Sequence, residues 1–116
     1  MQRDPRAFLW DARDAADAIA GFIADTAFEY YETNSLLHSA VERKLEIIGE
    51  ALNQLSRIEP ALAAQIPELA RIVAFRNLLI HGYAVVDHAR VWRILHESLP
   101  SVRAAAMSLL DELGNE

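Results

Sequence analysis

Residues 76–83 of the sequence read Arg-Asn-Leu-Leu-Ile-His-Gly-Tyr, and the predicted fold is organised around this stretch. Placed on a helix, Arg76 falls at the centre of an apolar arc. The arc is formed by Leu69, Ile72, Val73, Leu79 and Ile80. A guanidinium in such surroundings needs a carboxylate, a phosphate or several carbonyl groups as partners. The stretch therefore predicts either a structural ion pair or an arginine that binds a phosphate.

His81 lies about 140° around the same helix from Arg76, so one straight helix cannot direct both side chains at one target. Two arrangements would bring them together. Either the helix ends at His81 and Gly82 lets the chain turn, so that Tyr83 swings back, or a second subunit brings its own copy of the motif. An arginine, a histidine and a tyrosine at this spacing supply a phosphate-binding cation, a general base and a hydroxyl.

Helical periodicity continues on both sides of this stretch and predicts an all-α fold. We expect residues 1–116 to form a single domain, an antiparallel bundle of four to five helices with a kink in the last one. The main predicted helices cover about residues 6–24, 35–58, 67–81 and 88–113. Their starts are marked by Asp4 before Pro5, by Asn34 or Ser35, and by Asp87. Thr26 and Glu29 resemble a capping box, and Pro100 predicts a kink near Glu97.

The second and third predicted helices carry more apolar surface than one neighbour can cover. The second has a broad apolar face that predicts contacts with two neighbours, of which one is either the third helix or another subunit. The third is apolar nearly all round, which predicts a central position in the bundle. Glu50 lies beside the apolar stripe of the second helix, so it is the first candidate partner for Arg76.

Composition excludes several classes of function. The chain has no cysteine, which removes disulfides, thiolate catalysis and zinc–thiolate sites. Its net charge of −6 argues against broad nucleic-acid binding, although residues 67–103 carry five arginines against three acidic residues. Neither a membrane span nor a secretory signal is visible, so we expect a soluble, cytoplasmic protein.

Metal-dependent chemistry also finds little support in the sequence. No Glu-X-X-His pair is present, which argues against a di-iron bundle. His38 and Glu42, one helical turn apart, could hold a metal ion, but no second pair supports them. We therefore expect no metal site and no cofactor.

Taken together, these residues resemble a known family. The pattern Arg-X4-His-X-Tyr, with Asn77 after the arginine and glycine before the tyrosine, is similar to the signature of HEPN-fold ribonucleases, specifically the HepT-like toxins of two-gene toxin–antitoxin systems. The resemblance runs nearly end to end. It includes Leu45–Ala51 upstream, and Val91-Trp92 with Leu99-Pro100 downstream.

The resemblance implies a type VII-like toxin that acts on RNA as a homodimeric, metal-independent endoribonuclease. Arg76 and His81 would be catalytic, and Asn77 would orient the pair. Glu50 is expected to support Arg76 because of its place beside the apolar stripe, independently of the resemblance. A partner antitoxin of the MntA-like minimal nucleotidyltransferase type would silence the toxin by transferring AMP from ATP to Tyr83. The alternative is a non-catalytic helical dimer that binds a partner protein, with Arg76 as an ion-pair anchor.

Overall fold

The computed structural model describes residues 3–81 and 85–114, and the described residues contain helices and no strand. The helices are α1 (Pro5–Ile23), α2 (Phe28–Thr33), α3 (Ser35–Ile58), α4 (Pro60–Ala63), α5 (Leu69–His81), α6 (His88–Glu97) and α7 (Leu99–Leu113). The fold is the all-α bundle predicted from the sequence, with a bent last helix. Within the described part of the chain, none of these helices combines the length and apolar character that crossing a bilayer requires.

Three of the predicted helix starts are present. The Asp4 side chain accepts from the Arg6 N–H ahead of α1, and the Asn34 side chain accepts from the Leu37 N–H at the start of α3. Asp87 accepts from two backbone N–H groups at the start of α6. Each carboxylate or amide oxygen satisfies donors that a first helical turn leaves without partners.

The capping box predicted at Thr26 is wrong. α2 begins at Phe28 with Ala27 as its N-cap residue, and no side chain caps it. Asp25 adopts a left-handed conformation with φ of 57°, which turns the chain sharply after α1. The Thr26 hydroxyl consequently donates back to the Ala24 carbonyl, at 3.3 Å, instead of capping the next helix.

The core lies between α1 and α3, with α7 against α1, α5 against α3, and α6 against α7 and α2. Its largest fully buried aliphatic side chains are Leu9, Ile19, Leu45, Ile48, Leu52, Leu55, Ile72, Ile94 and Leu110. The two neighbours predicted for the broad face of α3 are therefore α1 and α5.

The predicted central position of α5 is wrong. This helix lies at the edge of the bundle and packs chiefly on α3. Only Ile72 and Phe75 of α5 are buried, whereas Leu78 and Ile80 are 55% and 46% exposed. The physical reason is that α1, α6 and α7 fill the other side of the core. Leu78 and Ile80, which point to different sides of the helix, thus leave apolar surface of α5 exposed within the described residues.

The kink predicted near Glu97 lies at Ser98, a one-residue break between α6 and α7 at which the Ser98 N–H still donates to the Ile94 carbonyl. Pro100 has no N–H to donate to the carbonyl four residues earlier, which favours the break. Ser98 is fully buried, and its hydroxyl donates to Glu68 at 3.1 Å and accepts from Arg71 at 2.9 Å. These bonds tie the break to the start of α5.

Candidate active site

Arg76 lies on the face of α5 that meets α3, where its guanidinium is held from two sides. One terminal nitrogen forms an ion pair with Glu50, as the sequence predicted, and the other donates to the Asn77 side chain at 2.8 Å. Glu50 in turn accepts from the Gln54 amide at 3.0 Å. The Arg76 side chain is 21% exposed and that of Glu50 is 45% exposed. The pair is therefore only partly buried, and its arginine is held in a fixed orientation.

Gly49 makes room for this arginine. A Cβ atom added at Gly49 would lie 2.3 Å from Arg76 Cβ and 2.7 Å from its Cγ. Both distances are far below an ordinary van der Waals contact, so only glycine permits α3 and α5 to approach this closely. Sequence reasoning missed this role. The signal was a glycine in the middle of a long helix, directly before Glu50, where glycine otherwise lowers helix stability.

His81 is the last residue of α5, and its side chain is exposed. It borders a cleft of about 270 Å³ with Phe75, Leu78, Leu79, Val85, Val86, Asp87 and Arg90. Arg90, from the first turn of α6, adds a cation to this cleft and lies over the Phe75 ring, 5.3 Å from its centroid. The sequence analysis counted Arg90 in the charge balance but did not place it beside His81.

Within the described chain, Arg76 and His81 face different surfaces. α5 continues as a helix from Leu69 to His81, so the two side chains keep the angular offset expected from their spacing. Arg76 is not among the residues that line the His81 cleft. The described part of α5 reaches His81, and Gly82 and Tyr83, where the sequence analysis expected a turn, lie outside the described residues.

A larger groove, of about 530 Å³, borders Glu50 on the side of α1 and α3. Its charged side chains neutralise one another, because Arg3 pairs with Asp11 and Arg43 pairs with Glu46. Neither Arg76 nor His81 lines it. Its size alone does not make it a better candidate site than the surface of α5.

A second polar cluster lies between α2, α3 and α6. His38 and Glu42 of α3 meet His88, the first residue of α6, and their ligand-capable atoms all lie within 4.8 Å of one another. Tyr31 of α2 is fully buried beside them. Burial raises the pKa of the Tyr31 phenol, and the nearby Glu42 carboxylate raises it further. Burial likewise raises the pKa of Glu42, although both histidines oppose that shift.

The expectation of no metal site rested on the lack of a second residue pair beside His38 and Glu42. His88 follows Glu42 by 46 positions and supplies a third ligand-capable side chain. No spacing rule within one helix reveals such a contact, because it depends on how α6 packs.

Comparison with known proteins agrees with the family that the Arg-X4-His-X-Tyr motif resembles. A family model described as "Ribonuclease HepT-like" matches residues 12–109. A protein of Thermococcus cleftensis named "Probable ribonuclease HepT" is 34% identical over 105 residues, which cover 89% of this chain and 93% of that protein.

Two proteins of Methanocaldococcus jannaschii are also similar. "Putative RNase MJ1380" is 32% identical over 102 residues, covering 88% of this chain and 93% of its own length. "Putative RNase MJ0125" is 30% identical over 112 residues, covering 97% of this chain and 96% of its own length. No solved structure gives a significant match.

Proposed function

The chain belongs to the HepT-like ribonuclease family, and from that premise we propose that it is an endoribonuclease that cleaves RNA without a metal ion in the reaction. The observation that carries the proposal is the placement of Arg76 and His81 on α5. The arginine is fixed by Glu50 and Asn77, and the histidine ends the helix beside an open cleft. We assign the catalytic roles to Arg76 and His81 and the supporting roles to Glu50 and Asn77.

RNA cleavage of this kind needs an acid, a base and a cation. The base removes the proton of the ribose 2′-hydroxyl, and the 2′ oxygen attacks phosphorus. The bond from phosphorus to the 5′ oxygen then breaks, and the acid protonates that leaving oxygen. The products carry a 2′,3′-cyclic phosphate and a 5′-hydroxyl. A histidine can act as base or acid near neutral pH, and an arginine can stabilise the charge on the phosphorane.

The geometry of α5 supports a homodimeric site. His81 of one chain cannot be base and acid in the same step, whereas two symmetry-related copies can share these roles. A second α5 would also bring a histidine towards the surface that Arg76 occupies. Leu78 and Val85 border the His81 cleft and are 55% and 96% exposed, so apolar surface suited to self-association lies at the site.

Arg76 retains donors for a phosphate while it is paired. A guanidinium carries five N–H groups, and the bonds to Glu50 and Asn77 use two of them. Glu50 reduces the local positive charge, so we assign it the role of orienting the arginine. Arg90 in the His81 cleft is a further cation near the path of the RNA.

We extend the proposal to the setting in which the enzyme acts, which is a cytoplasmic toxin–antitoxin pair of type VII. Here the antitoxin, an MntA-like nucleotidyltransferase, transfers AMP from ATP to Tyr83 and releases pyrophosphate. The added phosphodiester would place a negative charge two residues from His81 and compete with RNA phosphate. Intact-mass measurement after incubation with the antitoxin and Mg-ATP tests this. AMP that maps to Tyr30 or Tyr31 would contradict the assignment.

A second candidate function is a non-catalytic dimer that binds a partner protein. The observation that favours it is the Arg76–Glu50 ion pair, because an arginine neutralised in this way can serve as a structural anchor. The two functions differ in whether purified protein cleaves RNA.

The test is cleavage of a labelled RNA by purified protein in buffer that contains EDTA. We expect cleavage to persist and the products to end in a cyclic phosphate, identified by mass spectrometry. Circular dichroism in the same buffer checks that the chain stays folded. A folded, dimeric protein that cleaves no RNA would favour the second function, and cleavage that requires added Mg²⁺ would contradict the metal-independent reaction.

A further inference from the structure

The cluster of His38, Glu42 and His88 contains polar atoms that the protein does not satisfy. His38 Nδ1, Glu42 Oε2 and His88 Nδ1 are buried, and none of them has a hydrogen-bond partner within the described chain. The two histidine rings stack with their centroids 4.1 Å apart. Buried polar atoms without partners are uncommon in folded proteins and point to a missing ligand.

The spacing of these atoms fits a shared ion better than direct hydrogen bonds. Glu42 Oε2 lies 3.6 Å from His38 Nδ1 and 4.0 Å from His88 Nδ1. Both distances exceed a good hydrogen bond, for which N and O lie about 2.7–3.2 Å apart. Two ligands that are each about 2.0–2.1 Å from a tetrahedral ion lie roughly 3.4 Å from one another. An inward movement that brought all three atoms, which lie within 4.8 Å of one another, to this spacing would complete such a site.

The type of ligand identifies the type of ion. Two imidazole nitrogens and one carboxylate oxygen suit Zn²⁺ and neighbouring transition-metal ions such as Co²⁺ and Ni²⁺. Mg²⁺ and Ca²⁺ prefer oxygen ligands alone, so they fit poorly. A metal-free ion pair is the competing arrangement, since both histidine nitrogens lie within 4.0 Å of Glu42 Oε2. It would leave all three buried atoms without a hydrogen bond, whereas a bound ion would satisfy them.

The wall of the cluster supplies further polar and aromatic groups. Tyr31 is fully buried, its hydroxyl lacks a hydrogen-bond partner, and its ring lies 6.1 Å from both imidazoles. Trp92, one turn after His88, packs against the Tyr31 ring at 5.1 Å.

We propose that His38, Glu42 and His88 bind one divalent transition-metal ion of the Zn²⁺ class, which joins the start of α3 to the start of α6. The site is structural. α6 begins seven residues after His81 in the sequence, so the ion fixes the far end of the segment that follows the candidate catalytic histidine. The proposed RNA cleavage does not pass through this ion.

The test uses tag-free protein that has been dialysed against EDTA and then freed of chelator. Titration with Co²⁺, followed by visible absorption, reports nitrogen-containing coordination, and displacement by Zn²⁺ reports competition for the same site. We expect one ion per chain, a higher melting temperature with Zn²⁺, and no comparable effect of Mg²⁺. Wild-type protein that shows neither a stoichiometric Co²⁺ signal nor a Zn²⁺-dependent melting temperature would overturn the proposal without reference to any variant.

Variants then assign the ligands. We expect His38→Gln and His88→Gln each to weaken Co²⁺ binding by more than ~100-fold, since losing a residue that merely supports a metal ligand weakens binding by about 10–100-fold. The matched control is His96→Gln, because His96 is an exposed histidine of the same helix as His88. Equal binding by all three variants would place the metal elsewhere and overturn the proposal.

Discussion

Replacing Gly49 by alanine tests the close contact between α3 and α5 on which the position of Arg76 depends. The new Cβ would lie 2.3 Å from Arg76 Cβ, at least 0.7 Å closer than the 3.0 Å below which real Cβ contacts essentially never occur. Because the obstructing atoms belong to the base of the arginine side chain, a rotamer change cannot remove the clash. The two helices must therefore separate.

Two effects of Gly49→Ala oppose each other. Alanine stabilises a helix interior by roughly 1 kcal/mol relative to glycine. Overpacking a well-packed contact costs about 1–3 kcal/mol. We therefore expect the free energy of unfolding to fall by about 0–2 kcal/mol. Separation of α3 from α5 would also move Arg76 away from Glu50. We therefore expect the proposed ribonuclease activity to fall even under conditions in which the Gly49→Ala protein remains folded.

Gly21→Ala is the matched control, since Gly21 also lies in a helix but a Cβ added there meets nothing within 4 Å. Gly21→Ala should raise the free energy of unfolding by up to about 1 kcal/mol, because alanine stabilises a helix relative to glycine. The two variants should thus differ by about 1–3 kcal/mol in urea unfolding followed by circular dichroism. If Gly49→Ala proved as stable as Gly21→Ala and equally active, our account of the α3–α5 contact would be refuted.

Three further predictions follow from the structure. Glu50→Gln should lower the free energy of unfolding by about 1–2 kcal/mol, between the values for exposed and buried ion pairs, whereas Glu46→Gln should change it by less than about 0.5 kcal/mol in the same urea assay. Ser98→Ala should cost about 1–2 kcal/mol, because it removes a buried hydroxyl with two partners; unchanged stability would contradict this. Leu78→Glu should convert the proposed homodimer into monomer in sedimentation experiments, whereas Leu36→Glu, at another exposed leucine, should not. A wild-type monomer with full ribonuclease activity would contradict the proposed dimer.

Local signals in the sequence were sufficient to predict most helix boundaries. Asp4 with Pro5, Asn34 and Asp87 each begin a helix as expected, because capping depends on residues within one turn. The ion pair between Glu50 and Arg76 was also predictable. Each residue carries a charge beside or within an apolar face, and such charges need partners.

Features that depend on packing between distant elements were not predictable. The apolar surface of α5 was read as a sign of a central helix, but periodicity does not say whether a neighbour comes from the same chain or from another. The need for glycine at position 49 depends on how closely α3 and α5 approach each other. His88 joins His38 and Glu42 only because the first residue of α6 reaches α3 in the folded chain, and residue spacing within one helix cannot predict that contact.

The most direct measurement of the central claim is cleavage of a labelled RNA by wild type, Arg76→Ala and His81→Ala. Their matched controls are Arg93→Ala and His96→Ala, which remove an exposed arginine and an exposed histidine from α6. With helical circular dichroism unchanged in all five proteins, we predict that cleavage is abolished in the two α5 variants and retained in the two α6 variants. Full cleavage by folded Arg76→Ala or His81→Ala would contradict the assignment of the active site.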